Sequence, residues 1–378
     1  MTVSSNYFKH FTTALLPLSK PFLSDDDVAL ATQVLHSGML VQGKYVQLLE
    51  ESFTYYHGAK NAIAAANGTA TLHLALLALN IGPGDEVIVP AFSFIATANV
   101  VELVGARCVF VDIDLLTFNI DVARLEEKIT GLTKGIIPVH QFGLCCNIEE
   151  VCAIAAKHNV QVIEDAACAL GATHNLKQAG TFGIFGSFSL HPRKVITAGE
   201  GGVLLTNDDE LARRLRQMRN HGIDTESGKT EFVAAGFNYR LTDLQAALAW
   251  SQLNRVDEIL AKKSELAQLY LSSINNPKIA LPHVPSACRH SWQTFHVLLN
   301  NGLEQQEVIQ NLKTQGIGAN YGAQCIPAQV YYQQKYALDS AALFPHAWKA
   351  YTQGLALPLF ETLTEADVLK IAETVNRL

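Results

Sequence analysis

The chain predicts an α/β protein: a large domain of mainly parallel sheet flanked by helices, followed by a smaller C-terminal α+β domain. Between residues 61 and 206, short apolar runs alternate with stretches of helical period. Such alternation marks a parallel sheet buried on both faces. After Asn275 the alternation gives way to shorter, less regular strands and helices. The length, 378 residues with 49% hydrophobic content, is ample for a large core and admits one big domain or two. We expect the division near residue 255, as 1–255 and 256–378.

Each element has its own local reason. Ser24 followed by Asp25, Asp26 and Asp27 opens a helix with an N-cap and an acidic first turn, ending near Ser37-Gly38. A second helix follows Gly43 and carries Val46, Leu49 and Phe53 at helical spacing. The alternating part then reads as strand 61–66, helix 69–79, strand 86–90, helix 95–104, strand 107–112, helix 122–129, strand 135–139, helix 148–158 and strand 160–164. Two further apolar runs flank Lys194; the second, 202–206, leads into a helix over 208–220. Residues 232–240 read as irregular. A long helical region starts with Thr242 as N-cap, bends and runs to Ser272. A strand at 296–299 and helices at 304–315 and 365–378 make up the smaller domain.

Composition excludes several classes of function. A net charge of −7 with no basic run argues against nucleic acid or an acidic membrane as the main partner. The seven cysteines are odd in number and form no C-x-x-C pair, so they read as reduced thiols of a cytoplasmic protein. Residues 1–20 hold no signal-peptide run, and the most apolar stretch, 94–110, is broken by Asn99, Glu102 and Arg107. The histidines have no metal-ligand spacing, and no metal is expected; His140 and His191 read as site or packing residues.

Four features carry candidate chemistry. Lys194 lies between two strands and is followed by Gly199, Gly201 and Gly202, which permit a sharp turn and a close approach. It reads either as an amine aimed into a cavity, able to form a Schiff base with an aldehyde, or as an exposed lysine beside a hairpin. Asn67-Gly68-Thr69-Ala70 joins a strand to a helix, as a phosphate site at a helix N-terminus or as an ordinary N-cap. Asp165 ends an apolar strand, facing a ligand crevice or capping the next helix. Phe94 also follows a strand, and either stacks on a flat ring or joins the core. Singly, each has a plain structural reading. Taken in chain order on one sheet, as phosphate cradle, ring-stacking aromatic, pyridine partner and lysine, they describe a single pyridoxal-phosphate site. No dinucleotide fingerprint or Walker loop competes: Gly316-Ile-Gly318-Ala-Asn-Tyr-Gly322 has the wrong spacing and lies outside the alternating part.

The same residues resemble the DegT/DnrJ/StrS family of sugar aminotransferases, within the fold type I pyridoxal-phosphate enzymes. The resemblance runs from Pro17 to the C-terminus. It includes Leu35-His-Ser-Gly38, Asn67-Gly-Thr-Ala70, Gly82-Pro-Gly-Asp-Glu-Val87, Phe94-Ile-Ala-Thr-Ala-Asn99, Val111-Asp-Ile-Asp114 and Glu164-Asp-Ala-Ala167. Further on come His191-Pro-Arg-Lys194 with Gly199-Glu-Gly-Gly202, Arg219-Asn-His-Gly222, Gly236-Phe-Asn-Tyr-Arg240 and Leu357-Pro358. The resemblance implies Lys194 as the Schiff-base lysine, Asp165 as partner of the pyridine nitrogen and Phe94 against the ring. It implies Gly68, Thr69 and Ser189 at the phosphate. It puts Asn238 and Arg240 at the site of a neighbouring subunit in a homodimer. Cys168 stands where the family usually has glutamine or histidine, and Leu190 where it usually has phenylalanine. Tyr321, in the Gly318–Tyr321 region, and His191 are the expected substrate contacts.

The implied activity is transfer of an amino group, with L-glutamate as donor and a nucleotide-linked keto-sugar as acceptor at C3 or C4. The product would serve a surface polysaccharide, such as lipopolysaccharide O-antigen, or a glycosylated metabolite. A non-nucleotide cyclic ketone is the other acceptor considered. A related sugar dehydratase carries histidine in place of the lysine, which Lys194 opposes. A DNA-binding regulator would need an added domain and a nicotinamide dehydrogenase its glycine fingerprint; neither is seen in the sequence.

Overall fold

Two helices lead the chain into its sheet. The computed structural model describes residues 15–225, 228–300 and 302–378. Helix α1 (Asp25–Ser37) opens on Ser24 in a capping box with Asp27 and closes on Gly38 in the left-handed region. Helix α2 (Lys44–His57) starts after Gly43, which has no side chain to cap it. Its first turn is capped from 200 residues away. Asp243 Oδ1 accepts from the N–H groups of Gly43, Tyr45 and Val46 at 2.9, 3.1 and 3.0 Å.

The alternating part follows as β1 (Asn61–Ala65), α3 (Gly68–Ala78), β2 (Glu86–Pro90), α4 (Ala96–Leu103), β3 (Arg107–Val111), β4 (Thr133–Ile136), α5 (Ile148–Lys157), β5 (Gln161–Asp165), β6 (Phe185–Ser189), β7 (Gly202–Thr206) and α6 (Asp209–Arg219). The seven strands form one sheet in the order β1-β7-β6-β5-β4-β2-β3. Only β7 runs against the rest, antiparallel to both β1 and β6. The reason is the form of the connection, which contains no helix. A parallel neighbour needs a crossover, whereas the segment carrying Lys194 returns directly from β6 to β7. On one side of β2 lies β3 and on the other β4, so the strand order reverses there and opens a crevice beyond the carboxyl ends.

Three expected elements are corrected. The helix over 122–129 is two short 3-10 turns, Val122–Arg124 and Glu126–Lys128. Leu125 is its one fully buried side chain, so no apolar stripe anchors a longer helix. The strand expected over 135–139 ends at Ile136, because Pro138 brings no N–H to the ladder. The long helical region is broken into α7 (Asp243–Leu253) and α8 (Val256–Ser273). At the break, the Arg255 guanidinium is held by Glu361 at 2.6 Å and Asp27 at 3.4 Å.

Helix α8 changes surroundings along its length. Val256, Ile259 and Leu260 join the core beneath β1, β6 and β7, whereas Leu266, Ala267 and Tyr270 join that of the C-terminal part. The latter holds an antiparallel sheet of β8 (Ile279–Ala280), β9 (Phe295–Leu299) and β10 (Gly354–Leu357). Helices α9 (Gln305–Thr314) and α13 (Glu365–Asn376) pack with it. Between them, α10 (Val330–Tyr336), α11 (Ser340–Leu343) and α12 (Pro345–Gln353) turn back: Tyr332, Phe344, Ala347 and Ala350 pack with the core around β2 and α4.

Candidate active site

A cavity of about 730 Å³ opens at the carboxyl ends of β2, β5 and β6, beside the start of α3. Its floor is set by the entry into α3. Asn67 Oδ1 caps the Ala70 N–H at 2.8 Å. The N–H groups of Gly68 and Thr69, ahead of it, have no acceptor within the helix. Gly68 is needed because a Cβ there would lie 2.9 Å from Ser189 Cβ. Gly202 is needed more strictly, since a Cβ would lie 2.6–2.8 Å from the backbone of Asn67 and Gly68. Two glycines thus let a helix N-terminus, the end of β6 and the start of β7 converge. The result is a cradle of free N–H groups, the Thr69 side chain and the Ser189 hydroxyl, suited to an anion.

Strand alternation splits Glu164 and Asp165 onto opposite faces. Asp165, 5% exposed, lines the cavity. Its Oδ2 accepts from the Thr97 hydroxyl at 2.8 Å and its Oδ1 from the Ala167 N–H at 3.2 Å. Thr97 in turn lies 3.0 Å from the Ser93 hydroxyl. Glu164 is structural. It accepts from Gly180, Phe182 and Gly183 N–H and pairs with His140 Nε2 at 2.8 Å. His140 Nδ1 accepts from Cys146 N–H, so the imidazole donates to Glu164. Cys145 and Cys146 are core residues whose thiols burial holds well above the usual range.

Lys194 lines the cavity on the return from β6 to β7, its Nζ 3.1 Å from Cys168 Sγ. Phe94, 63% exposed on one chain, lies at the cavity wall rather than in the core. His191 also lines the cavity. Burial lowers its pKa, the nearby Lys194 and Arg193 charges lower it further, and Glu200 opposes them.

The cavity therefore gathers Gly68, Thr69, Phe94, Asp165, Cys168, Ser189, His191 and Lys194. Asn238, Arg240 and Tyr321 lie off its lining. Asn238 is exposed, Arg240 donates to Asn220 Oδ1 at 2.6 Å, and Tyr321 packs edge-on against Tyr351. Gly322 and Ala323, next to Tyr321, do reach the wall. Sequence reasoning missed Thr97, Phe142 and Gln293. Thr97 had a signal, a hydroxyl four residues after Ser93 on an otherwise apolar segment. Phe142 and Gln293 had none, since each reaches the wall through irregular backbone, with Phe142 at φ 59°.

The donor set fits one cofactor. An anion cradle, a flat wall, a buried carboxylate and a primary amine share a cavity whose floor has no room for a further side chain, as suits a phosphorylated pyridine aldehyde. Fold and cavity together define a pyridoxal-phosphate enzyme of fold type I. Comparison with known proteins narrows the class. The family profile described as DegT/DnrJ/EryC1/StrS aminotransferase matches residues 21–376. The chain is 40% identical over 341 residues to the GDP-perosamine synthase of Caulobacter vibrioides, covering 89% of this chain and 90% of that protein. Its fold matches PseC of Helicobacter pylori, an aminotransferase of pseudoaminic acid biosynthesis, with TM-score 0.91, 30% identity and coverage of 96% and 98%. It also matches the PLP form of Spr1654 from Streptococcus pneumoniae, with TM-score 0.91, 28% identity and the same coverage. The chain belongs to the DegT/DnrJ/EryC1/StrS aminotransferase family, and its cofactor is pyridoxal phosphate.

Proposed function

We propose that this sugar aminotransferase moves an amino group from L-glutamate to the C4 ketone of a GDP-linked 4-keto-6-deoxysugar. The observation that carries the chemistry is the Lys194 amine and the Asp165 carboxylate on one cavity at the sheet's carboxyl edge. The choice of acceptor rests on the 40% identity to a GDP-perosamine synthase.

Bound pyridoxal phosphate supplies an aldehyde to carry the amino group and a ring to accept electrons. The chain's own residues do the rest. Gly68 and Thr69 N–H groups and the Ser189 hydroxyl hold the phosphate at the start of α3. Asp165, steadied by Thr97 and Ala167, keeps a proton on the ring nitrogen. Phe94, at the cavity wall, would cover a ring face. The Lys194 amine would hold the aldehyde at rest and, when free, would serve as the base and acid for the proton at the reacting carbon. Cys168, as a weak donor, would hold the ring less tightly than glutamine or histidine.

We infer that the working unit is a homodimer with shared sites. Asn238 is exposed and off its own cavity, and the nearby loops present Met39 (68% exposed), Val41 (66%) and Phe232 (71%). A second copy covering these loops brings Asn238 and Arg240 to its neighbour's site.

The test uses the cofactor's visible absorption. Glutamate should bleach the band of the purified enzyme. After glutamate is removed, a GDP-linked 4-keto-6-deoxysugar should restore it, and dTDP- and UDP-linked ketones should not. No bleaching would overturn the donor; recovery with another nucleotide would overturn the acceptor. For the dimer, Lys194→Ala and Asn238→Ala should each be inactive alone and regain activity when mixed, because each mixed dimer holds one intact site.

A further inference from the structure

The peptide plane just before Lys194 is clamped at both ends. Its N–H, that of Lys194, donates to the His191 carbonyl at 2.8 Å. Its C=O, that of Arg193, accepts from Gln293 Nε2 at 2.7 Å. A peptide is planar, so two opposed hydrogen bonds fix its tilt, and with it the direction in which the Lys194 side chain leaves the backbone. The first bond is local to the turn. The second comes from a side chain 100 residues away.

Gln293 is itself firmly held. It is 8% exposed and borders the cavity, and its Oε1 accepts from the Thr294 hydroxyl at 2.9 Å. The short segment around it is tied to two further loops of the cavity wall. Ser291 N–H donates to Gly143 O at 2.9 Å, Ser291 Oγ to Cys168 O at 3.2 Å, and Thr294 N–H to Phe142 O at 3.2 Å. Residues 291–294 thus hold the loops after β4, β5 and β6 in one arrangement, and Gln293 is the contact that reaches the lysine's own turn. On the far side of Lys194, Gln252 brackets Thr197, donating to its carbonyl at 2.7 Å and accepting from its N–H at 3.1 Å.

We propose that Gln293 is a positioning residue that sets the aim of the Lys194 amine and couples it to the loops bearing Phe142 and Cys168. The proposal rests on Lys194 being the lysine that bonds the cofactor. Misplacing a reacting group by about 1 Å can cost roughly a hundredfold in rate, and a smaller shift correspondingly less. The bond is neutral and partly redundant with the local one, so the fold should survive its loss.

The experiment uses holoenzyme of wild type and two variants. Gln293→Glu keeps the shape and the acceptor for Thr294 but turns the donor atom into a carboxylate oxygen facing a carbonyl. Gln293→Met removes the donor without adding charge. The glutamate half-reaction is followed in single turnover, alongside cofactor loading and melting temperature. The expected result is a limiting rate per loaded site about tenfold or more below wild type, with half-saturation for glutamate, loading and melting temperature little changed. A purely structural role would lower melting temperature or loading and leave the rate per loaded site intact, and that outcome overturns the proposal. So does an unaltered rate, or failure of both variants to fold. Borohydride reduction followed by peptide mapping separates the underlying reading. Label on a lysine other than Lys194 would sink the site assignment itself, whereas label on Lys194 with normal variants would sink only the role of Gln293.

Discussion

At position 202 the backbone of one strand meets the start of a helix so closely that no side chain fits. Gly202→Ala places a Cβ within 2.8 Å of Asn67 and Gly68 backbone atoms, which cannot rotate aside. The start of α3 must shift, and the anion cradle shifts with it. We expect cofactor affinity to fall at least about tenfold, read by titrating the visible band, since backbone N–H placement governs anion binding there. Thr97→Val keeps side-chain volume and removes the hydroxyl that reaches Asp165. A hydrogen bond to a charged group is worth about 1.5–3 kcal/mol, so the glutamate half-reaction should slow about tenfold or more. An unchanged rate would show that Ala167 alone suffices to hold the carboxylate.

Among the elements, α2 depends on a residue far along the chain. Gly43 offers its N-terminus no cap, and the Asp243 carboxylate supplies one with three N–H contacts. Asp243 also sits in the first turn of α7, behind Thr242. Asp243→Ala should cost about 2 kcal/mol of stability, seen as a lower urea midpoint, because three N–H groups, that of buried Val46 among them, lose their acceptor together. A midpoint unmoved by the substitution would mean that water replaces the cap. Thr242 as N-cap was legible from the sequence; the second duty of Asp243 was not. Capping by a neighbour in sequence follows a spacing rule, whereas capping across 200 residues depends on how two helices are packed. The misread helix over 122–129 has the opposite cause. Its residues suit a helix locally, but Leu125 is the single side chain it buries fully.

Across the whole molecule, buried neutral histidines make the fold sensitive to acid. Burial lowers the pKa of His57 to about 4 and of His296 to about 3. The unfolded chain takes up these protons near the ordinary histidine value, about 6.5, and the folded chain does so only at lower pH. The unfolded state therefore binds more protons below about pH 6.5, and stability falls with pH through that window. At pH 5 each histidine should contribute about 2 kcal/mol of lost stability relative to neutral pH. Urea denaturation of cofactor-free protein at the two pH values measures it; equal midpoints would refute the assignment of both imidazoles as buried and neutral.

Local pattern by itself determined most of the secondary structure and the content of the cavity. Period and punctuation placed β1, α3, β2, α4 and β5, and residues at or just after the ends of those strands meet in the cavity. That follows from parallel topology, which sends every strand's carboxyl end to the same edge. Only the tertiary structure decided the rest. It reversed β7, because the Lys194 segment forms no crossover helix and returns directly alongside β6. It left Asn238, Arg240 and Tyr321 off the cavity, since motif membership carries no direction in space. It brought Gln293 to the backbone beside Lys194, a contact between irregular segments 100 residues apart. Periodicity reports which face of an element is apolar; which distant atom satisfies a given carbonyl is settled by packing alone.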